Sequence, residues 1–222
     1  MNVTTSFRGL LSIAALCAVG GSVFAAENTF DAELLSIQHE WAAANYQATE
    51  KRSREAAFAA LVEHATQLSS KYSDRVEAVA WEGIVLSTYA GEVSAMSAMK
   101  YAKAARDVLL HAERMGPAAL RGGIYASLGA LYSKVPGGFM GFGDDEVAAE
   151  YFRKALAMDP DNIDSNFFYG EYLMDQGDYA DAVTVLTRAL QAPTVVGRPL
   201  FDAGRRNEIR TLLATAQRKA TL

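Results

Sequence analysis

Cysteine is almost absent: Cys17 is the only one in 222 residues. A lone cysteine closes no internal disulfide and builds no zinc site that needs several thiolates. Proline is scarce, at five residues. These prolines stand between the apolar-periodic runs rather than inside them, where they would break helices. Sustained two-residue alternation is missing, which argues against strands. Positive charge is in deficit, with 21 Lys and Arg against 26 Asp and Glu and a net charge of -5. Without a basic stripe the chain is a poor nucleic-acid ligand, because most of that affinity comes from neutralising phosphates. Recognisable catalytic motifs are missing as well. There is no His-Glu-x-x-His and no Gly-x-Ser-x-Gly elbow, and the glycine-rich run at 137–143 is not followed by Lys-Ser/Thr. His39, His64 and His111 each stand alone in their segments. A hairpin bringing His39 and His64 together with Glu40 or Glu63 would be the one route to a metal site, and the ligand spacing gives it no support. The expectation is a protein that is not an enzyme, with no catalytic residues, no metal and no cofactor.

What is present is a core. Half of the residues are hydrophobic and 10% aromatic, which suits one domain or a short array of repeats. The N-terminal segment stands apart. Arg8 is its only charge, an apolar run follows from Leu10 to Val19, and Val23 and Ala25 place small residues before a cut. This reads as a signal peptide over residues 1–25, with the domain at 26–222. The apolar run is too short for a permanent span. Leu16 precedes Cys17 where a lipoprotein signal wants a small residue. Cleavage leaves no cysteine, 20 basic and 26 acidic residues. The expected location is the periplasm.

From Phe30 onward the chain is rich in good helix formers. The periodicity predicts helices at about 31–49, 53–71, 74–90, 95–115, 118–134, 145–158, 163–176, 179–191 and 200–219. Short connections make these antiparallel pairs, an all-α stack. The clearest unit is 163–194. Gly170 takes the small position of a first helix, Gly177-Asp178-Tyr179 makes the turn, and Ala182, Leu186 and Ala189 supply small, large and small positions on the second helix. Small residues let two helices approach and large ones fill the gap. The unit at 118–160 repeats this with Leu128, Gly129 and Tyr132, then Ala148, Phe152, Ala155 and Pro160. Tyr132 and Ala148 are 16 residues apart, so an enlarged turn separates its helices. The preceding unit has Trp81, then Ala105, Leu109, Ala112 and Pro117. The first pair shows only Ala57, Leu61 and Ala65 on one face.

On these residues the chain resembles the tetratricopeptide repeat (TPR) superfamily, over roughly residues 74–192. The resemblance implies an all-α, right-handed superhelix of antiparallel helix pairs, with the helix at 200–219 capping the open end. The segments 134–145, 154–173 and 197–209 also resemble uncharacterised secreted bacterial TPR proteins. Those are similar in layout to the TPR accessory component of TRAP-type solute transporters.

In the family pattern the first helices line a concave groove. Carried onto this chain, that pattern places Glu82, Leu86 and Tyr89 beside Trp81 in the first strong repeat. It places Ala126, Ala130, Ser133 and Lys134 in the next, and Asp164, Phe167, Glu171, Met174 and Asp175 in the last. The expected groove is acidic with aromatic edges. Trp81, Glu82, Tyr89, Phe167, Glu171 and Asp175 are its contact residues, with Lys134 as a lone basic contact. A protein or peptide segment is the expected partner, and a small ligand or a transporter component the alternative. The loop at 135–145 carries Phe139, Met140 and Phe142 among four glycines. Phe139 and Phe142 are expected either to tuck back, as favoured for Phe142, or to present a contact surface, the loop as a whole to shape one end of the groove, and Asp144 or Asp145 to cap the next helix. Residues 198–222 hold six basic residues against two acidic, opposite in sign to the rest. This tail is expected to dock on the acidic stack.

Overall fold

The computed structural model describes residues 18–221. Most of the leader expected over 1–25 therefore lies outside the described residues. Among the described residues nine α-helices follow one another: α1 (Ala18–Tyr46), α2 (Lys51–Lys71), α3 (Val76–Glu92), α4 (Ala95–Met115), α5 (Gly123–Lys134), α6 (Asp145–Met158), α7 (Ile163–Gln176), α8 (Tyr179–Gln191) and α9 (Pro199–Ala220). No strand occurs among the described residues; Gly137 and Gly143 form an isolated bridge.

The pairs α3/α4, α5/α6 and α7/α8 share one packing device. A Cβ at Gly83 would lie 2.6 Å from Leu109, one at Gly129 2.8 Å from Phe152, and one at Gly170 2.6 Å from Leu186. In each pair the missing side chain is the space that a large residue of the partner helix fills. Ala105, Ala112, Ala148, Ala155, Ala182 and Ala189 flank those large residues and are fully buried. These are the positions that the repeat pattern assigns.

Helix α5 starts five residues later than the predicted 118. Leu120, Arg121 and Gly122 all have positive φ (56°, 48° and 90°), which an α-helix forbids. At Gly122 a Cβ would sit 2.8 Å from the Ala155 carbonyl oxygen. The chain therefore turns tightly against the end of α6 before α5 begins. The helix starts further on follow their caps. Asp144 accepts hydrogen bonds from the backbone of Glu146 and Val147 at the start of α6. Asn162 accepts from Ser165 at the start of α7. Buried Asn166 donates to the Pro160 and Asn162 carbonyl oxygens, both at 2.8 Å, and so locks the Pro160 turn.

The enlarged turn between α5 and α6 is compact. Gly143 donates to Pro136 and Asp144 to Tyr132. The Phe142 ring rests edge-on against Tyr132 at 5.4 Å, under the Arg106 guanidinium at 4.5 Å. Phe139 is fully exposed and Met140 largely so.

The odd-numbered helices meet in turn, α1 with α3, α3 with α5, α5 with α7 and α7 with α9, and α9 returns to α1. The stack thus closes on itself, with the odd helices inside and the even ones outside. Helix α9 does more than cap. It packs on α8 and seals the circle against α1. Trp41 meets Phe201 at 6.1 Å, and Tyr46 donates to Glu208 at 3.0 Å. His39 bonds the Gly197 carbonyl oxygen at 2.7 Å. Arg206 ties the start of α9 down by donating to the Leu190 and Ala192 carbonyl oxygens and pairing with Asp202.

Candidate functional site

The closed circle of odd helices surrounds a cavity of about 810 Å³. Most of its wall comes from the inner helices, with Ala98, Met99 and Ala102 of α4 and the Leu120–Arg121 turn completing it. Helix α3 gives Trp81, Ile84, Thr88 and Gly91, a spacing of three to four residues that keeps one face inward. Helix α5 gives Ala126, Ala130 and Lys134, and α7 gives Asp164, Phe167 and Glu171. Helices α1 and α9 add Trp41, Phe201, Arg205 and Glu208, and Arg198 stands just before α9.

Of the residues expected at the groove, Trp81, Lys134, Phe167 and Glu171 line this cavity. Asp175 does not. It stands at the rim and holds the Lys134 ammonium at 2.5 Å. Glu82 faces away from the cavity and accepts a hydrogen bond from Thr66 of α2 at 2.9 Å. Tyr89 packs edge-on against Tyr101 of α4 at 4.6 Å, and Leu86 is buried in the α3/α4 core. The stripe on α3 is set one residue earlier than the family registration, because Trp81 itself points inward. Phe139 and Phe142 lie on the α5/α6 loop, whose Val135 and Pro136 form the adjoining part of the cavity wall.

The expected acidic character is not what the walls carry. Four cations, Arg121, Lys134, Arg198 and Arg205, face three carboxylates, Asp164, Glu171 and Glu208. The basic tail supplies the difference. Arg205 is 4% exposed. Its guanidinium pairs with Asp164 and Glu208, each at 2.8 Å, and stacks over the Phe167 ring at 4.2 Å. Asp164 and Glu208 therefore share a single guanidinium. Burial pushes the Glu171 carboxyl above the usual carboxylate range, against the pull of Lys134 and Arg205.

That shift has a readable consequence. The folded chain holds the Glu171 proton more tightly than the unfolded chain does. Its contribution to stability is therefore full at acid pH and is lost as the pH rises through its raised pKa. Glu171→Gln is expected to raise the unfolding midpoint at neutral pH, with the gain vanishing near pH ~4. Thermal melts of both proteins across that range check it.

No group of three or more metal-ligating side chains occurs among the described residues. His64 pairs with Glu40 at 2.8 Å, whereas His39 is spent on Gly197, so the two histidines do not converge. No described helix is long and apolar enough to cross a membrane.

Residues 140–194 match the family model of the tetratricopeptide repeat. This span covers the end of the α5/α6 loop, α6, α7 and α8. The chain has a tetratricopeptide-repeat fold. The TPR architecture extends over the rest of the molecule as well. A solved structure, a thermophilic TPR protein from Thermus thermophilus, superposes with a TM-score of 0.54 at 17% identity. The match covers 89% of this chain and 95% of that one. No curated protein matches the chain. The TRAP-type accessory component has no counterpart among these matches. Four lining residues are not among those expected at the groove: Trp41 of α1, and Arg198, Phe201 and Arg205 at and in α9. For the last three the signal is the reversed charge of the final segment, which the sequence ties to docking on the stack and not to the cavity.

Proposed function

We propose that this chain is a periplasmic protein-interaction module that takes a protein or peptide segment into the interior of its helical ring. Tetratricopeptide folds present concave surfaces to partners, and they serve as scaffolds rather than catalysts. The supporting observation is the lining itself. Trp81, Phe167 and Phe201 offer large apolar anchors beside paired and unpaired charges, the composition that concentrates binding energy at interfaces.

The test is occupancy. Ala130 lines the cavity and is half-buried, so Ala130→Trp fills the interior without emptying the core. Affinity capture from periplasmic extract, read by mass spectrometry, is expected to recover a partner with the parent protein. The variant, matched in helicity and melting, is expected to lose it. Equal capture by both would move the interaction off the interior.

A second reading has one observation in its favour. Closure by α9 turns an open groove into a cavity ringed by helices, which suits a small solute as well as a peptide segment. In that case the chain serves as an accessory binding component of a transporter. Copurification of a small molecule that Ala130→Trp excludes would favour it.

A further inference from the structure

Arg198 is out of balance with its surroundings. Its guanidinium stacks on Phe201 at 4.0 Å and faces the Trp81 ring at 5.1 Å. It forms no ion pair with any carboxylate among the described residues, and its Nε is buried with no hydrogen-bond partner. The nearby Asp164 is held by Arg205 instead. Trp81 Nε1 is likewise a buried donor with no acceptor. Arg205 Nε on the same wall also lacks a well-aligned hydrogen bond, but it has Asp164 at 2.8 Å, which leaves Arg198 and Trp81 as two buried donors, one of them charged, standing together with nothing to meet them. Native proteins rarely leave such groups unmet, because each costs its full desolvation. Every other described cation on the wall has its carboxylate. Arg121 has Asp159, Lys134 has Asp175, and Arg205 has Asp164 and Glu208.

From this we infer that Arg198, with the Trp81 indole N–H, is the seat of a carboxylate carried on an apolar body that fills the ring interior. The planar guanidinium suits the fork of a carboxylate. The apolar body would lie against Trp81, Phe167 and Phe201. Arg205 offsets part of the wall's own negative charge, its guanidinium shared by Asp164 and Glu208, and burial shifts Glu171 in the direction that lowers its charge. Burial also pushes the Arg198 pKa downward, the direction that an incoming anion would reverse. The inference rests on the ring interior being the binding surface. The carboxylate has two natural sources: a free amphiphilic acid, or the C-terminal end of a partner chain.

Two matched pairs of probes separate these sources in isothermal titrations of the purified protein. Decanoate is compared with decanol, and N-acetyl-Ala-Leu-Phe with its C-terminal amide. The acid of at least one pair is expected to bind roughly 10- to 100-fold more tightly than its neutral counterpart, the range for one charge-assisted hydrogen-bonded contact. Arg198→Gln, and Arg198→Met, which keeps an unbranched apolar side chain on the rings, are expected to erase that difference. The pair that shows it names the source. Equal binding of acid and neutral forms would overturn the carboxylate seat, as would a difference that survives in folded Arg198→Met. It is overturned too if none of the four probes binds. The interior as a partner surface is judged separately, by capture with Ala130→Trp.

Discussion

Arg205→Ala is expected to destabilise the protein by about 3–5 kcal/mol, measured by urea unfolding. The estimate follows from what the side chain holds. Arg205 is almost fully enclosed and answers two carboxylates at once, Asp164 on α7 and Glu208 on its own helix. Tyr46 of α1 donates to the same Glu208 carboxylate. One guanidinium therefore joins α7, α9 and α1. Removing it leaves two partly buried negative charges facing each other across the seam of the ring, and strips the stacking from Phe167. Such a loss is a large share of the 5–15 kcal/mol that typically holds a domain together. The triple replacement Arg205→Met, Asp164→Leu, Glu208→Met is expected to recover most of it, because an ion cluster and an apolar cluster of similar volume are nearly equivalent in stability. A loss below ~1 kcal/mol in the single variant would show that the cluster behaves as an exposed one.

Phe152→Ala is expected to cost a similar amount, about 3–5 kcal/mol, for a different reason. The ring is fully buried. It lies over Gly129, where a Cβ would approach it to 2.8 Å, and tilts against Tyr169 and Tyr172 at 5.6 and 5.5 Å. Truncation leaves a void that Gly129, having no side chain, cannot fill. Phe152 lies outside the cavity lining, so the folded fraction of this variant is expected to bind partners as the parent does. Urea unfolding alongside capture separates the two effects. A cost under ~1.5 kcal/mol would mean that α5 and α6 close up on the empty space.

Local rules made the repeats legible. Gly129 facing Phe152 and Gly170 facing Leu186 are readable as small and large residues at fixed spacing, and Asp144 as a cap before Glu146. The stripe on α7 followed the same registration, so Phe167 and Glu171 fell at the cavity. The stripe on α3 did not, because a one-residue offset turns a helix face by about 100° and only packing sets that angle. Glu82 and Tyr89 went outward for that reason. Ring closure was out of reach for another. The contacts of Trp41 with Phe201 and of Tyr46 with Glu208 join residues about 160 positions apart, and no periodicity reports on such pairs. The expected acidity of the groove failed with it, since Arg198 and Arg205 enter only once α9 has come round.

The return of α9 to α1 also changes how the array holds together. In an open solenoid each repeat leans only on its neighbours, so the terminal units are the weakest and melting starts there. A circle has no such terminal unit. Every inner helix, α1 and α9 included, is flanked on both sides, and to free any one of them two seams must open. Loss of a whole terminal pair, the usual first step for a stack of helix pairs, therefore has to break two seams, and the ring is expected to unfold as one cooperative body.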